Sequence, residues 1–384
     1  MAGIYVHIPF CKSKCSYCDF ASFPDKLCYA ESYMACVYRE MSFRRKELKD
    51  YSFDTLYIGG GTPSVIDESY IGMLVASARK NFNLAKDAEI TIEINPGTVT
   101  ADKIEFYKKC GINRFSVGLQ SAIDSQLEDI GRIHTAQDFL DCAALLKGEN
   151  FSADVLIGLK GQSPTDVEYT IEFAAKAGAS HISMYALTPE DGTPIYTDYL
   201  NGELPDSDEV AAMYEAGYKK LKQLGFARYE VSNFCKPGKE SRHNLNYWHR
   251  GEYIGFGVSA SSCIKNVRFT NTFDLDEYFK CIFTEHLPVI TSEEVDEEGQ
   301  KFEFIMLALR TSAGLDAAEY ERLFKTDFFA EHKAALAKTA RYLEINGSSV
   351  RIKDEYLFVQ NSIIIEFMAV SYTHLRAHET LSDL

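Results

Sequence analysis

The chain has 384 residues, 46% apolar and 25% charged, with a formal net charge of −16. That length and composition suit a globular protein of one large and one small domain, and the acidic balance argues against binding nucleic acid or an anionic membrane through the surface at large. Its ten cysteines are unevenly placed and do not read as a disulfide scaffold; no apolar run is long enough for a transmembrane segment, and the apolar run beginning at Ile4 leaves no room for a signal peptide, so a cytoplasmic location is expected.

Apolar runs predict strands at Ile4–Ile8, Phe53–Ile58, Glu89–Ile94, Arg114–Val117, Ser152–Ile157 and His181–Tyr185. Amphipathic stretches predict helices between them at Tyr29–Leu48, Glu68–Asn81, Ala101–Lys109, Ala136–Lys147 and Thr165–Ala177. Such alternation calls for parallel strands with helical crossovers, which either a doubly wound sheet or a barrel provides. Glycine and polar residues gather at the carboxyl ends of successive strands, as in Gly59-Gly60-Gly61-Thr62, Glu93-Ile94-Asn95-Pro96 and Gly118-Leu119-Gln120-Ser121. That placement favours the barrel, and six units leave it incomplete.

The repeat stops after Pro189. A helix is expected over Ser207–Leu224, followed by Tyr229-Glu230-Val231-Ser232-Asn233-Phe234 and the aromatic segment His243-Asn244-Leu245-Asn246-Tyr247-Trp248. The acidic run Glu293–Glu298 marks a boundary or a helix start, and helices follow at Phe302–Leu309, Ala317–Phe324 and Phe329–Tyr342. A strand pair at Val350–Ile352 and Tyr356–Val359 completes a small winged-helix-like unit. The expected fold is therefore α/β: an incomplete (β/α)6 TIM-like barrel with a small C-terminal helical, winged-helix-like domain. The expected organisation is a barrel over 1–200, an associated extension over 201–292, the small domain over 293–369 and a tail over 370–384. That tail breaks the preceding apolar pattern and reads as adapter-derived sequence, so its His374 and His378 are set aside despite their i,i+4 spacing.

Chemistry concentrates in the loop after the first strand, where Cys11, Cys15 and Cys18 stand at intervals of four and three. A protein-bound 4Fe–4S cubane takes one thiolate per iron, so three would leave one iron open to a ligand that is not protein. Zinc competes with that reading, but Cys28 is ten residues on and no histidine follows at finger spacing.

The C-x3-C-x2-C motif, in the longer form Tyr5-Val6-His7-Ile8-Pro9-Phe10-Cys11, resembles the radical S-adenosylmethionine superfamily, in the branch of oxygen-independent coproporphyrinogen III oxidases and HemW-type haem chaperones. The resemblance spans about residues 3–367. It implies a 4Fe–4S cluster on Cys11, Cys15 and Cys18, with S-adenosylmethionine chelating the fourth iron and yielding a 5′-deoxyadenosyl radical on reduction. Gly60, Gly61 and Thr62 would meet the amino end of the cofactor, Glu93 its ribose, Arg132 its carboxylate and Ala186 its adenine. Gln120 and Asp154 match further polar contacts, and Tyr5 and His7 would stand close to the cluster. Lys160 replaces the family's usual proline, a departure expected to alter the rim.

Two departures favour the chaperone type over the oxidase: Phe20 stands where the oxidase has a further cysteine, and only ten residues precede Cys11. The implied function is to bind haem and pass it to acceptor haemoproteins, at the cytoplasmic face of the membrane and as a homodimer, with His243 as a haem contact. The alternatives are a radical methyltransferase, a coproporphyrinogen decarboxylase, or a binding module whose cluster is vestigial. The resemblance leaves open whether radical cleavage belongs to the working cycle.

Overall fold

A computed structural model describes residues 2–368; the tail at 369–384, with His374 and His378, lies outside the described residues. Six parallel strands form the centre: β1 (Ala2–Ile8), β2 (Ser52–Gly60), β3 (Asn83–Ile94), β4 (Arg114–Gln120), β5 (Phe151–Ile157) and β6 (His181–Ala186). They are joined through α1 (Ala30–Arg44), α2 (Glu68–Asn81), α3 (Ala101–Cys110), α4 (Asp124–Asp129), α5 (Ala136–Leu145) and α6 (Pro164–Lys176). Local chemistry sets these boundaries. Thr135 and Ser163 open α5 and α6 with reciprocal capping boxes through Asp138 and Asp166, and Gly111 ends α3 at φ +100°.

Ile4, Val6 and Ile8 of β1 are fully buried in the principal apolar core, which also holds Met34 and Val37 of α1. Tyr5 and His7 alternate with them and meet the polar side chains of the barrel interior, as the two-residue strand period requires. The parallel register sets Tyr5 beside Tyr57, Glu93 beside Ser116 and Gly118 beside Asp154. At the end of β4 the register shifts between Gly118 and Gln120, and Gln120 takes φ +60°, which breaks the alternation at the strand mouth.

The sheet continues beyond the six expected strands. β7 (Ala227–Arg228) and β8 (Asn233–Cys235) extend it antiparallel past β6. At the other edge β9 (Glu252–Phe256) runs parallel to β1, followed by an antiparallel meander of β10 (Ser261–Ile264), β11 (Val267–Asn271) and β12 (Val289–Glu294). The order is β12-β11-β10-β9-β1-β2-β3-β4-β5-β6-β8-β7, with no pairing between its ends among the described residues. The barrel is incomplete.

A second apolar cluster around Ile305, Tyr320, Phe328, Val350 and Ile364 holds the C-terminal part together. The acidic run divides between the end of β12 and a helix at Glu297–Ala308 capped by Asp296. The helix at Ala317–Phe324 stands as expected, but the long one divides into Phe328–Glu331 and Lys333–Thr339. The expected strand pair needs correction: β15 (Ser349–Ile352) pairs with β14 (Leu343–Asn346) and β13 (Leu315–Asp316), while Asp354–Val359 is a 3-10 helix. Helices beside a three-stranded sheet keep the winged-helix-like form. Arg250 and Arg268 both pair with Glu303, and Arg228 pairs with Asp354, tying this part to the barrel. Among the described residues no helix is long and apolar enough to cross a membrane.

Candidate cofactor site

The cysteine loop leaves β1 and is pinned by backbone bonds on three sides. Phe23 N–H donates to Pro9 O at 2.7 Å, Thr62 N–H to Phe10 O at 2.8 Å and Ser16 N–H to Ile130 O at 3.0 Å. Cys11 is buried, while Cys15 and Cys18 are half-buried. Thr62 Oγ1 donates to Cys11 Sγ at 3.5 Å, and Arg132 Nη1 to Cys15 Sγ at 3.7 Å. Burial pushes the Cys11 and Cys18 thiols up, so a metal is what would hold them as thiolates. Among the described residues no three Cys, His, Asp or Glu side chains are gathered tightly enough to hold a single ion.

One cavity of about 150 Å³ brings together Cys11, Cys15, Cys18, Gly60, Gly61, Thr62, Glu93, Gln120, Arg132 and Asp154. These residues come from the loops and ends of β1 to β5, where a barrel concentrates its chemistry. Close approach explains the glycines: a Cβ on Gly61 would lie 2.8 Å from Cys11 Sγ, and Gly60 takes φ +118°, where a Cβ would lie 2.9 Å from His7 Cε1. Glu93 accepts from Tyr57 Oη at 2.8 Å and Gly60 N–H at 3.0 Å. Burial raises its carboxyl to about 7, reinforced by the Asp154 charge. Asp154 accepts from Ser116 Oγ at 3.1 Å, and burial raises it to about 6.

Arg132 is the fourth wall. Its Nη2 donates to Asn95 Oδ1 at 2.7 Å and Gly118 O at 3.1 Å, and Asn95 Nδ2 in turn reaches Thr62 Oγ1 at 2.8 Å. Arg132 Nε and Gln120 Oε1 are buried without a hydrogen-bond partner. Unsatisfied buried groups on the wall of a cavity suit a polar ligand that completes them. A donor fork, a carboxyl acceptor pair and three thiols around one space fit an amino-acid nucleoside beside an iron–sulfur cluster, whose irons each ask for a separate thiolate.

Comparison with known proteins agrees. Residues 5–174 match the Radical SAM superfamily and residues 295–358 the HemN C-terminal domain. Heme chaperone HemW of Bacillus subtilis (strain 168) is 34% identical over 326 residues, which cover 83% of this chain and 86% of that protein. The chain belongs to the HemW family. HemW of Escherichia coli (strain K12) is 33% identical over 331 residues, 83% of this chain and 85% of its own length. The fold is that of coproporphyrinogen III oxidase (HemN) from Escherichia coli, with a TM-score of 0.85 at 20% identity over 96% of this chain and 90% of that one. Membership of the radical SAM superfamily within the HemW branch implies a 4Fe–4S cluster and S-adenosylmethionine as cofactors.

Three expected HemW site residues stand off the cavity wall. Tyr5 packs behind it: its ring stacks 6.2 Å from Tyr57, and its hydroxyl donates to His7 Nδ1 at 3.0 Å. His7 Nε2 faces Ala21 O at 2.8 Å, and since that carbonyl only accepts, the proton sits on Nε2. Ala186 ends β6 on an exposed stretch. His243 corrects the haem-contact expectation. It is buried, its Nδ1 is 2.7 Å from Thr55 Oγ1 and its Nε2 is 2.9 Å from Tyr247 Oη, so neither ring nitrogen is free for iron. Burial also drives its basicity down to about 3. Lys160 lies on the surface and pairs with Glu203. Sequence reading passed over Tyr57 and Ser116, which hold the two carboxyls, although both alternate correctly with neighbouring inward residues.

Proposed function

We propose that this chain binds haem and delivers it to an acceptor haemoprotein, using a cluster and S-adenosylmethionine held by the residues around the cofactor cavity. One observation carries the reading: the cofactor walls occur within a chain that resembles proteins named heme chaperones along 83% of its length. Cys11, Cys15 and Cys18 would each hold one iron. Gly60, Gly61 and Thr62 would receive the amino end of S-adenosylmethionine, and Arg132 its carboxylate. Glu93 would accept both ribose hydroxyls, since an ionised carboxylate only accepts. Gln120 and Asp154 would complete the polar wall, with Ala186 near the adenine and Tyr5 bracing His7 behind the cluster loop. When bound, the cluster and its nucleotide supply one-electron chemistry at the sulfonium. The chain itself shields that space, fixes the nucleotide and keeps the thiols on one rigid loop. Delivery in the cytoplasm, at the membrane face and from a homodimer, belongs to the same proposal.

The test is anaerobic reconstitution of the cluster, addition of haem, and measurement of the Soret band with and without an apo-acceptor. The expected result is a haem complex whose band shifts to that of the acceptor. Turnover of coproporphyrinogen III without haem binding would overturn the reading.

A further inference from the structure

A second cavity, of about 830 Å³, opens between the carboxyl end of the Arg242–Trp248 helix and the C-terminal helices. It shares no lining residue with the cofactor cavity. Its volume lies within the roughly 300–1,000 Å³ usual for organic ligands, and it sits where two packed units meet. Trp248, Phe304, Leu323 and Phe324 give it aromatic and aliphatic walls.

His249 lies on that wall. It caps the helix, with its backbone N–H donating to Leu245 O at 2.9 Å, and Arg250 then turns the chain at φ +54°. Its imidazole is exposed at the cavity and makes no hydrogen bond among the described residues, whereas each of the other six described histidines makes at least one. An uncommitted imidazole on a large aromatic cavity is the chemistry that an iron porphyrin asks for.

The charges set the orientation. Asp316 is spent on Ala318 N–H, Glu319 on Arg322 and Glu297 lies 3.8 Å from Lys301. Arg250 is taken by Glu303 and Asn266, leaving Lys325 as the exposed cation at the rim, its amine on Arg322 O. Two buried propionates would meet no free cation inside, so they belong at the mouth, in water.

Resting on the chaperone reading, we infer that this cavity seats haem, with His249 donating a ring-nitrogen lone pair to the iron and the propionates facing solvent. No electron is transferred; a coordination bond forms and a weaker ligand leaves the iron. One wall of the cavity belongs to the barrel and the other to the C-terminal helices, joined there by the Arg250–Glu303 and Arg268–Glu303 pairs.

The test titrates ferric haem into cluster-loaded wild type, His249→Ala, Leu323→Glu and His243→Gln. Binding is read from quenching of Trp248, the chain's one tryptophan, and ligation from electron paramagnetic resonance of the ferric haem. His249→Ala should lose the imidazole signature and weaken binding about tenfold or more. Leu323→Glu, a rim substitution, should weaken binding by a similar factor, and His243→Gln should leave the signature intact at unchanged circular dichroism. Retention of signature and affinity by His249→Ala overturns the placement, as does loss of the signature in folded His243→Gln. Failure of wild type to bind haem at all overturns the chaperone reading instead.

Discussion

Gly61 and Cys11 are so close that a Cβ on the glycine would come within 2.8 Å of the cysteine sulfur. The same Cβ would press on Phe10 O at 2.8 Å, so relief needs movement of the loop backbone and not merely a side-chain rotation. Gly61→Ala should therefore fold but load its cluster poorly. Iron content after anaerobic reconstitution should fall severalfold, and the melting temperature of the cluster-free protein should fall by about 1 °C, corresponding to about 1 kcal/mol. Full iron loading would show that the loop has slack the packing does not suggest.

Arg132 links the cluster loop to the nucleotide wall, touching Cys15 Sγ, Asn95 Oδ1 and Gly118 O with one guanidinium. A lysine keeps the charge but not the planar fork. Arg132→Lys should retain cluster absorbance while S-adenosylmethionine binding weakens by about 1.5–3 kcal/mol, the worth of a lost charge-assisted pair. Equilibrium dialysis of the cluster-loaded variant measures this, and unchanged affinity would remove Arg132 from the carboxylate site.

The central sheet was readable because its signals are local. The run Ile4 to Ile8 and the capping sequences Thr135–Asp138 and Ser163–Asp166 each declare one element on their own. The outer strands carry no such signal. β10 and β11 are joined by Lys265 and Asn266 at φ +51° and +61°, a hairpin turn usually written Asn-Gly, so the sequence there does not announce a reversal. In the C-terminal part the expected helix ends at Tyr342 and the expected strand partner is Tyr356–Val359, so Leu343–Asn346, the true neighbour of Ser349–Ile352, carries no expectation at all. At the site, the motifs named the cavity walls, but His243 shows the limit. A histidine among aromatics looks the same in sequence whether its nitrogens are free or, as here, both engaged by Thr55 and Tyr247.

Glu93, raised to about 7, predicts a pH dependence of opposite sign for stability and for binding. The folded protein holds a proton that the unfolded chain, with an ordinary carboxyl near 4.5, releases earlier. Stability of the cluster-free protein should therefore fall as pH rises from about 4.5 to 7, by on the order of 1 kcal/mol because cavity water relieves part of the cost. S-adenosylmethionine needs the ionised acceptor, so its affinity should rise through the same upper limit with proton release. Calorimetry at pH 6.5 in buffers of differing ionisation enthalpy should detect that proton in wild type and lose it in Glu93→Gln. Equal proton release in both would place the titration elsewhere.

His243 predicts the opposite acid behaviour. Its imidazole, lowered to about 3 by burial, stays neutral in the fold while the unfolded chain takes up a proton near 6.5. The stability it provides is complete above about pH 6.5 and is lost as pH falls towards 3, at up to about 1.4 kcal/mol per pH unit. His7 and His181 are buried and lowered too, so wild type should show a steep acid limb to which several imidazoles contribute. His243→Ala removes one of them, together with the bonds to Thr55 and Tyr247, and should cost about 2–4 kcal/mol at pH 7.5 while making the decline towards pH 5 shallower. Urea denaturation of cluster-free wild type and variant at pH 5.0, 6.0 and 7.5, chosen to bracket the ordinary histidine range of about 6.5, separates the two effects. Parallel declines would mean that His243 is protonated in the native state, which its burial opposes.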